Sequence, residues 1–198
     1  KAIMVQASET STTAAHPIEA LSKLTRDRGD ILLVVDGITA VGVVNVPMDE
    51  WGIDALITGS QKSLQLPPGL ALVGLSEKAW KFADKSTLPK FYFDFIKERK
   101  NLANQTSAYT PAVSLVTGLR AVLRDVKEEG LDNVFKRHDR LARATRAAVQ
   151  AMGLNLVAPD CPAGSATGVF VPEGVDGGKL VKSLRDDFGV TLAGGQDH

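Results

Sequence analysis

Two charged residues stand where apolar runs end, and their types could do covalent chemistry together. Lys62 closes Leu56-Ile57-Thr58-Gly59-Ser60-Gln61-Lys62, a strand-like run that finishes in small polar residues and delivers one amine. Asp36 closes Ile31-Leu32-Leu33-Val34-Val35-Asp36 and delivers a carboxylate. In an open α/β sheet the carboxyl edge of the strands is where ligands bind. A lysine there can form a Schiff base with an aldehyde, and an acid there can hold a protonated ring nitrogen. The pair suits pyridoxal phosphate.

The elements that would position these residues are legible as a pattern. Short apolar runs alternate with helical periodicity in the first half, which argues for parallel βαβ units. Strands are expected at 2–5, 31–35, 43–46, 54–58 and 70–75. The run at 31–35 is continuously apolar, as when both sheet faces are covered. A polar turn spans Ser8 to Thr13, and Pro17 opens a helix carrying Ile18, Leu21 and Leu24 that Gly29 can end. Ser76 can cap a helix running to about Asp84. Asp54 begins a strand instead of ending one and reads as structural.

From Lys85 to Thr110 the pattern breaks into an aromatic run, Phe91-Tyr92-Phe93-Asp94-Phe95, and a polar stretch, as in a functional loop or lid. Helical spacing resumes after Pro111 and again over about 131–152, where Gly153 stops it. The tail reads as strands at 154–158, 167–171 and 190–193 around a helix from Asp176 to Phe188. That change of order divides the chain into a larger α/β unit, 1–128, and a small, incomplete α+β unit, 129–198.

The 198 residues are 44% hydrophobic and 23% charged, with 23 basic and 23 acidic side chains, so no net field draws in nucleic acid or an anionic membrane. No apolar run approaches the ~20 residues that span a bilayer. The single cysteine, Cys161, precludes an internal disulfide and fits a reducing, cytoplasmic setting. His16, His138 and His198 are scattered without metal-ligand spacing, so no metal site is expected. The run Lys97-Glu98-Arg99-Lys100 reads as a solvated face. The chain opens at Lys1 within a strand pattern and ends in a Gly194-Gly195 loop signal, so a piece of a longer protein is expected.

The ordered set Glu9-Thr10-Ser11-Thr12, Val35-Asp36, Gly59-Ser60-Gln61-Lys62-Ser63-Leu64 and Pro67-Pro68-Gly69 resembles class V aminotransferases, pyridoxal phosphate enzymes of fold type I. The likeness is greatest to the alanine–glyoxylate and serine–glyoxylate branch, some bacterial members of which are labelled soluble hydrogenase subunits. It runs through nearly the whole chain, including Gln105-Thr106 and Thr110-Pro111. The resemblance implies that Lys62 carries the cofactor and serves as the base at the substrate Cα, and that Asp36 pairs with the pyridine nitrogen. A free lysine titrates near ~10.4, so base work needs burial, cationic neighbours or covalent attachment.

The resemblance further implies that Thr10 contacts the phenolic oxygen and Gln61 the phosphate. It puts Ile38 against one ring face, although an ordinary core isoleucine fits that position too. Gln105 and Thr106, with Tyr109 assisting, would reach the cofactor of a neighbouring subunit, which implies a homodimer with a shared site; a plain solvated loop is the other reading. Thr13 stands where the family usually has glycine. The family's phosphate loop and the arginine for the substrate carboxylate match nothing in 1–198. The implied reaction moves an amino group from alanine or serine to glyoxylate or another 2-oxo acid. The alternatives are a desulfurase, kynureninase or epimerase of the same class, or an inactive subunit. Cys161 lacks the surroundings of a persulfide-forming thiol, and one cysteine cannot ligate an iron–sulfur or nickel–iron centre.

Overall fold

In the computed structural model, which describes residues 1–195, β1 (Ala2–Gln6) leads into a small hairpin of β2 (Ser8–Glu9) and β3 (Ala14–Ala15), then α1 (Ile18–Ser22). β4 (Leu32–Asp36), α2 (Met48–Trp51), β5 (Ala55–Gly59), β6 (Ala71–Leu75) and α3 (Glu77–Lys85) follow. The rest is helical: α4 (Phe95–Ala103), α5 (Val113–Glu129), α6 (Leu131–Ala151) and α7 (Gly177–Phe188). The sheet order is β1-β4-β5-β6. β1, β4 and β5 are parallel, with Gln6 opposite Asp36 and Asp36 opposite Ile57; β6 returns antiparallel, with Gly59 opposite Ala71.

One face of the sheet makes the core. Leu33 and Val35 are fully buried against Ile18, Ala40 and Ile53, with Val5 and Leu56 packed beside them. The other face is not covered within the described residues. Leu32 and Val34 are half-buried there and Met4 is 78% exposed, so the expectation of two covered faces holds on one side only.

The sheet's amino edge is fastened by a buried carboxylate. Asp54, 2% exposed, accepts hydrogen bonds from the Leu33 N–H (2.9 Å) and the Ser76 hydroxyl (2.8 Å), and pairs with Lys78 Nζ at 2.8 Å. The same Ser76 oxygen accepts the Ala79 N–H and so caps α3, as its sequence position predicts. Lys78 reaches on to the Ile31 carbonyl at 2.9 Å. Asp54 is therefore a tie between β4, β5 and α3.

Several sequence expectations are corrected. No strand forms at 43–46, where the chain makes only a bridge between Val41 and Val44 as it wraps toward the core. The expected helix to Gly29 stops at Ser22 and loosens into turns that return to β4. The irregular segment 85–110 contains α4, whose amino end is capped by Asp94 accepting the Ile96 and Lys97 N–H groups; the surrounding aromatic run hides that cap signal. The strands expected at 154–158 and 167–171 are reduced to one bridge, Leu156 to Val169, and 190–193 is extended coil, with the Val190 N–H spent on the Leu184 carbonyl at the end of α7. Among the described residues the tail is thus helix and loop, joined by that one bridge.

Helix ends follow local chemistry closely. α6 stops in paired bonds, Gly153 N–H to the Gln150 carbonyl and Leu154 N–H to the Val149 carbonyl, with Gly153 at φ +74°. Between α5 and α6, Arg137 donates to both Glu129 carboxylate oxygens (2.7 and 2.9 Å), which holds that carboxyl below its ordinary range. No helix of the described residues is long and apolar enough to cross a membrane.

Candidate active site

Because β1, β4 and β5 run parallel, their carboxyl ends share one edge, and the loops leaving that edge are bonded to one another. Asp36, half-buried, is the last residue of β4. Its Oδ1 accepts the Ile38 N–H at 2.9 Å, turning the chain back over the strand end, and the Gly37 N–H donates to the Ile57 carbonyl at 2.8 Å. A Cβ on Gly37 would lie 2.7 Å from Val41 Cγ2 and 3.2 Å from the Ile57 oxygen, so only glycine allows the turn. The Asp36 Oδ2 accepts no hydrogen bond among the described residues.

Lys62 stands on the loop leaving β5, and Ser60 shapes that loop. Fully buried, Ser60 donates its hydroxyl to the Pro67 carbonyl (2.8 Å), accepts the Leu70 N–H on the same oxygen (3.2 Å), and bonds Leu70 and Leu66 through its backbone. The turn closes with the Gln65 N–H on the Lys62 carbonyl (2.9 Å), Gln65 lying at φ +54°. The Lys62 side chain is exposed and makes no hydrogen bond or ion pair among the described residues. The burial expected around its amine is not supplied by this chain alone.

Two side chains join the loops. The Ser63 hydroxyl donates to the Val41 carbonyl, which ties the Lys62 turn to the segment following Asp36. The Thr39 hydroxyl donates to the Ser8 carbonyl at 3.0 Å, which ties that segment to the β2–β3 hairpin. Thr10 lies exposed at the hairpin tip. The Glu9 Oε1 accepts both the Ser11 N–H (2.9 Å) and the Ser11 hydroxyl (2.8 Å); these bonds stiffen the tip and lower the Glu9 pKa. Lys62, Asp36 and Thr10 thus sit on three loops fastened in series.

Ile38 is half-buried beside Asp36, and exposed Gln61 lays its amide against Gly59. Gln105, at φ +57°, and Thr106 lie instead on an exposed turn after α4, and no hydrogen bond connects them to the Asp36 or Lys62 loops within the described residues. Tyr109 belongs to that second region: it stacks on Tyr92 at 4.3 Å, accepts from Lys97 Nζ at 2.9 Å and donates to the Phe91 carbonyl. Sequence reasoning missed the ties made by Ser8, Thr39, Ser60 and Ser63. Only Ser60 and Ser63 carried a signal, as the small residues flanking Gln61-Lys62.

The donor set fits pyridoxal phosphate. One unpaired amine suits its aldehyde, one carboxylate with an open oxygen suits its protonated ring nitrogen, and a hydroxyl tip suits its phenolic oxygen. In β5, Thr58 is 8% exposed and its Oγ1 is buried without a hydrogen-bond partner among the described residues. An unmet buried hydroxyl costs about 1–3 kcal/mol. Thr58→Val, which keeps the shape, should therefore raise stability by about 1 kcal/mol, a Tm gain of about 2–4 °C in a domain of this size. A fall in Tm would show that the hydroxyl is satisfied.

Known proteins resemble this chain along its whole described length. Residues 1–197 match the family described as aminotransferase class-V. The chain is similar to the soluble hydrogenase small subunit of Synechococcus sp., at 44% identity across 100% of this chain and 52% of that protein. It is 38% identical to the L-aspartate–glyoxylate aminotransferase of Paracoccus denitrificans, covering 98% of this chain and 50% of that one. The crystal structure of an alanine–glyoxylate aminotransferase from Nostoc sp. superposes with a TM-score of 0.92 at 28% identity, over 100% of this chain and 53% of that one. The chain spans about half the length of the curated relatives it matches.

Proposed function

The chain belongs to the class V aminotransferases, and from that premise we propose that, in its full-length protein, it transfers an amino group from alanine or serine to glyoxylate or a related 2-oxo acid. The observation that carries this reading is the serial fastening of the Thr10, Asp36 and Lys62 loops at one sheet edge through Thr39–Ser8 and Ser63–Val41.

Pyridoxal 5′-phosphate, the cofactor of this fold-type I family, supplies when bound an electron-withdrawing ring that accommodates the electron pair left when the substrate Cα proton departs. Lys62 Nζ would hold the cofactor through its aldehyde group, and as a neutral amine it would serve as the base for the substrate Cα proton. Asp36 would hold the ring nitrogen in its protonated form, Thr10 would donate to the phenolic oxygen and Gln61 to the phosphate, and Ile38 would pack against the ring. Gln105 and Thr106, which no hydrogen bond joins to their own chain's Asp36 and Lys62 loops among the described residues, would serve the site of a second subunit in a homodimer. The phosphate loop and the arginine that clamps the substrate carboxylate come from the rest of the longer protein. In that protein 1–128 is the cofactor-binding part and 129–198 the start of a smaller domain, and the enzyme works in the cytoplasm.

The test uses the full-length protein. It should absorb in the visible, and alanine or serine should discharge that absorbance while glyoxylate restores it. Sulfide release from cysteine without amino transfer would favour the desulfurase alternative, and a protein that takes up no cofactor would sink the reading. A second reading rests on the relatives named soluble hydrogenase subunits, 44% and 41% identical over the whole chain. A non-catalytic subunit would bind cofactor but fail both half-reactions.

Asp36→Asn gives a sharper check. Breaking a buried charge pair costs about 3–5 kcal/mol, so turnover should fall by about 10²–10⁴-fold while the protein stays folded and cofactor-loaded. Turnover within threefold of wild type would remove Asp36 from the role.

A further inference from the structure

Thr13 is an unusual residue for its place. It lies at φ +54°, in the left-handed region that disfavours β-branched side chains, at the end of the turn that carries Thr10. Its hydroxyl donates to the Thr12 carbonyl at 2.7 Å and accepts the Gly168 N–H at 3.1 Å, across 155 residues of sequence. Its carbonyl accepts the Ala163 N–H at 2.8 Å, and next to it the Ala15 N–H donates to the Cys161 carbonyl at 2.7 Å. Gly168 is matched to this contact: a Cβ there would stand 2.6 Å from Thr13 Oγ1 and 3.0 Å from its Cγ2. The far side of the tie is also anchored. The Gly168 carbonyl accepts the Val157 N–H, Arg146 of α6 donates to the Ala163 carbonyl, and Ala163 is buried.

We propose that Thr13 is a positioning residue for cofactor binding, a latch that fixes the Thr10 turn to the 161–168 segment, with Gly168 as its matched seat. The strained backbone is held by what the side chain bonds, since glycine would suit the φ better but has no hydroxyl to accept the Gly168 N–H. The Thr10 turn is also held by the Glu9–Ser11 and Thr39–Ser8 bonds, the β2–β3 pairing and the backbone bonds of residues 13 and 15, so freeing the Thr13 side chain loosens the Thr10 hydroxyl without unfolding the turn. This rests on the proposed cofactor role of the Thr10 turn.

The test compares Thr13→Gly with Thr13→Ser in the full-length protein. Thr13→Gly relieves the backbone and deletes the acceptor, whereas Thr13→Ser keeps the acceptor. In the cofactor-free state, amide hydrogen exchange at Gly168 should quicken in Thr13→Gly and stay slow in Thr13→Ser. Titration with pyridoxal phosphate should show an affinity about fivefold weaker for Thr13→Gly, the equivalent of one neutral hydrogen bond, and near wild type for Thr13→Ser. If Thr13→Gly binds as tightly as wild type, or if Gly168 exchange does not change, the latch is wrong. Wild-type protein that binds no pyridoxal phosphate overturns the functional reading itself, and the wild-type titration tells that failure from failure of the latch alone.

Discussion

Lys62→Ala in the full-length protein should abolish covalent capture of pyridoxal phosphate and lower amino transfer by at least about 10²–10⁴-fold, the range for loss of a general base alone. Borohydride reduction followed by peptide mass analysis reads the first effect directly, because the added mass should map to the peptide containing Gln61-Lys62-Ser63 in wild type and nowhere in the variant. Lys62→Arg separates charge from chemistry. It keeps a cation on the same turn but cannot be deprotonated, so it should be as inactive as alanine. The fold should survive either change, since the Lys62 side chain is exposed and bonds to nothing among the described residues, and the turn is held by Ser60, Ser63 and the Gln65 backbone. Covalent cofactor persisting in Lys62→Ala, or turnover within tenfold of wild type, would end the case for this lysine.

The second large effect is on stability and lies at the opposite end of the sheet. Removing the Asp54 carboxylate strands the Lys78 ammonium, the Leu33 N–H and the Ser76 hydroxyl together. Breaking a buried pair by deleting one partner costs about 3–5 kcal/mol, a large part of the 5–15 kcal/mol that holds a typical domain together. Asp54→Ala should therefore unfold at markedly lower denaturant. Lys78→Met should cost less than Asp54→Ala, since the carboxylate keeps two hydrogen-bond donors. In the double variant Asp54→Ala/Lys78→Met the loss should fall short of the sum of the single losses, because neither charge is left alone. Asp54→Ala costing under 1 kcal/mol in a urea titration, or strictly additive losses, would show that the pair is not coupled.

These two sites separate what is local from what is not. Lys62 and Asp36 were legible because both signals lie within a few consecutive residues: an apolar run of strand length, then a polar break with the charged residue at its end. The Ser76 cap of α3 and the Gly153 stop of α6 were legible for the same reason, since a cap bonds to backbone three or four residues away. Asp54 could be read as structural from its place at a strand start, but its partner Lys78 could not, because nothing in a helix's own periodicity says which buried acid its lysine meets.

What the sequence alone determined, then, was the kind of chemistry available and the strand ends that carry it, since residue type and strand period are properties of short stretches. Tertiary structure decided whether those ends converge. The parallel register that sets Asp36 beside Ile57, the Ser63–Val41 and Thr39–Ser8 ties, and the Thr13–Gly168 contact each join residues far apart in the chain. It also decided against strands at 43–46 and 190–193, whose apolar residues suit a strand but find no neighbouring ladder to pair with. Local propensity offers a conformation, and it persists only where a partner elsewhere in the chain completes its hydrogen bonds and covers its apolar side.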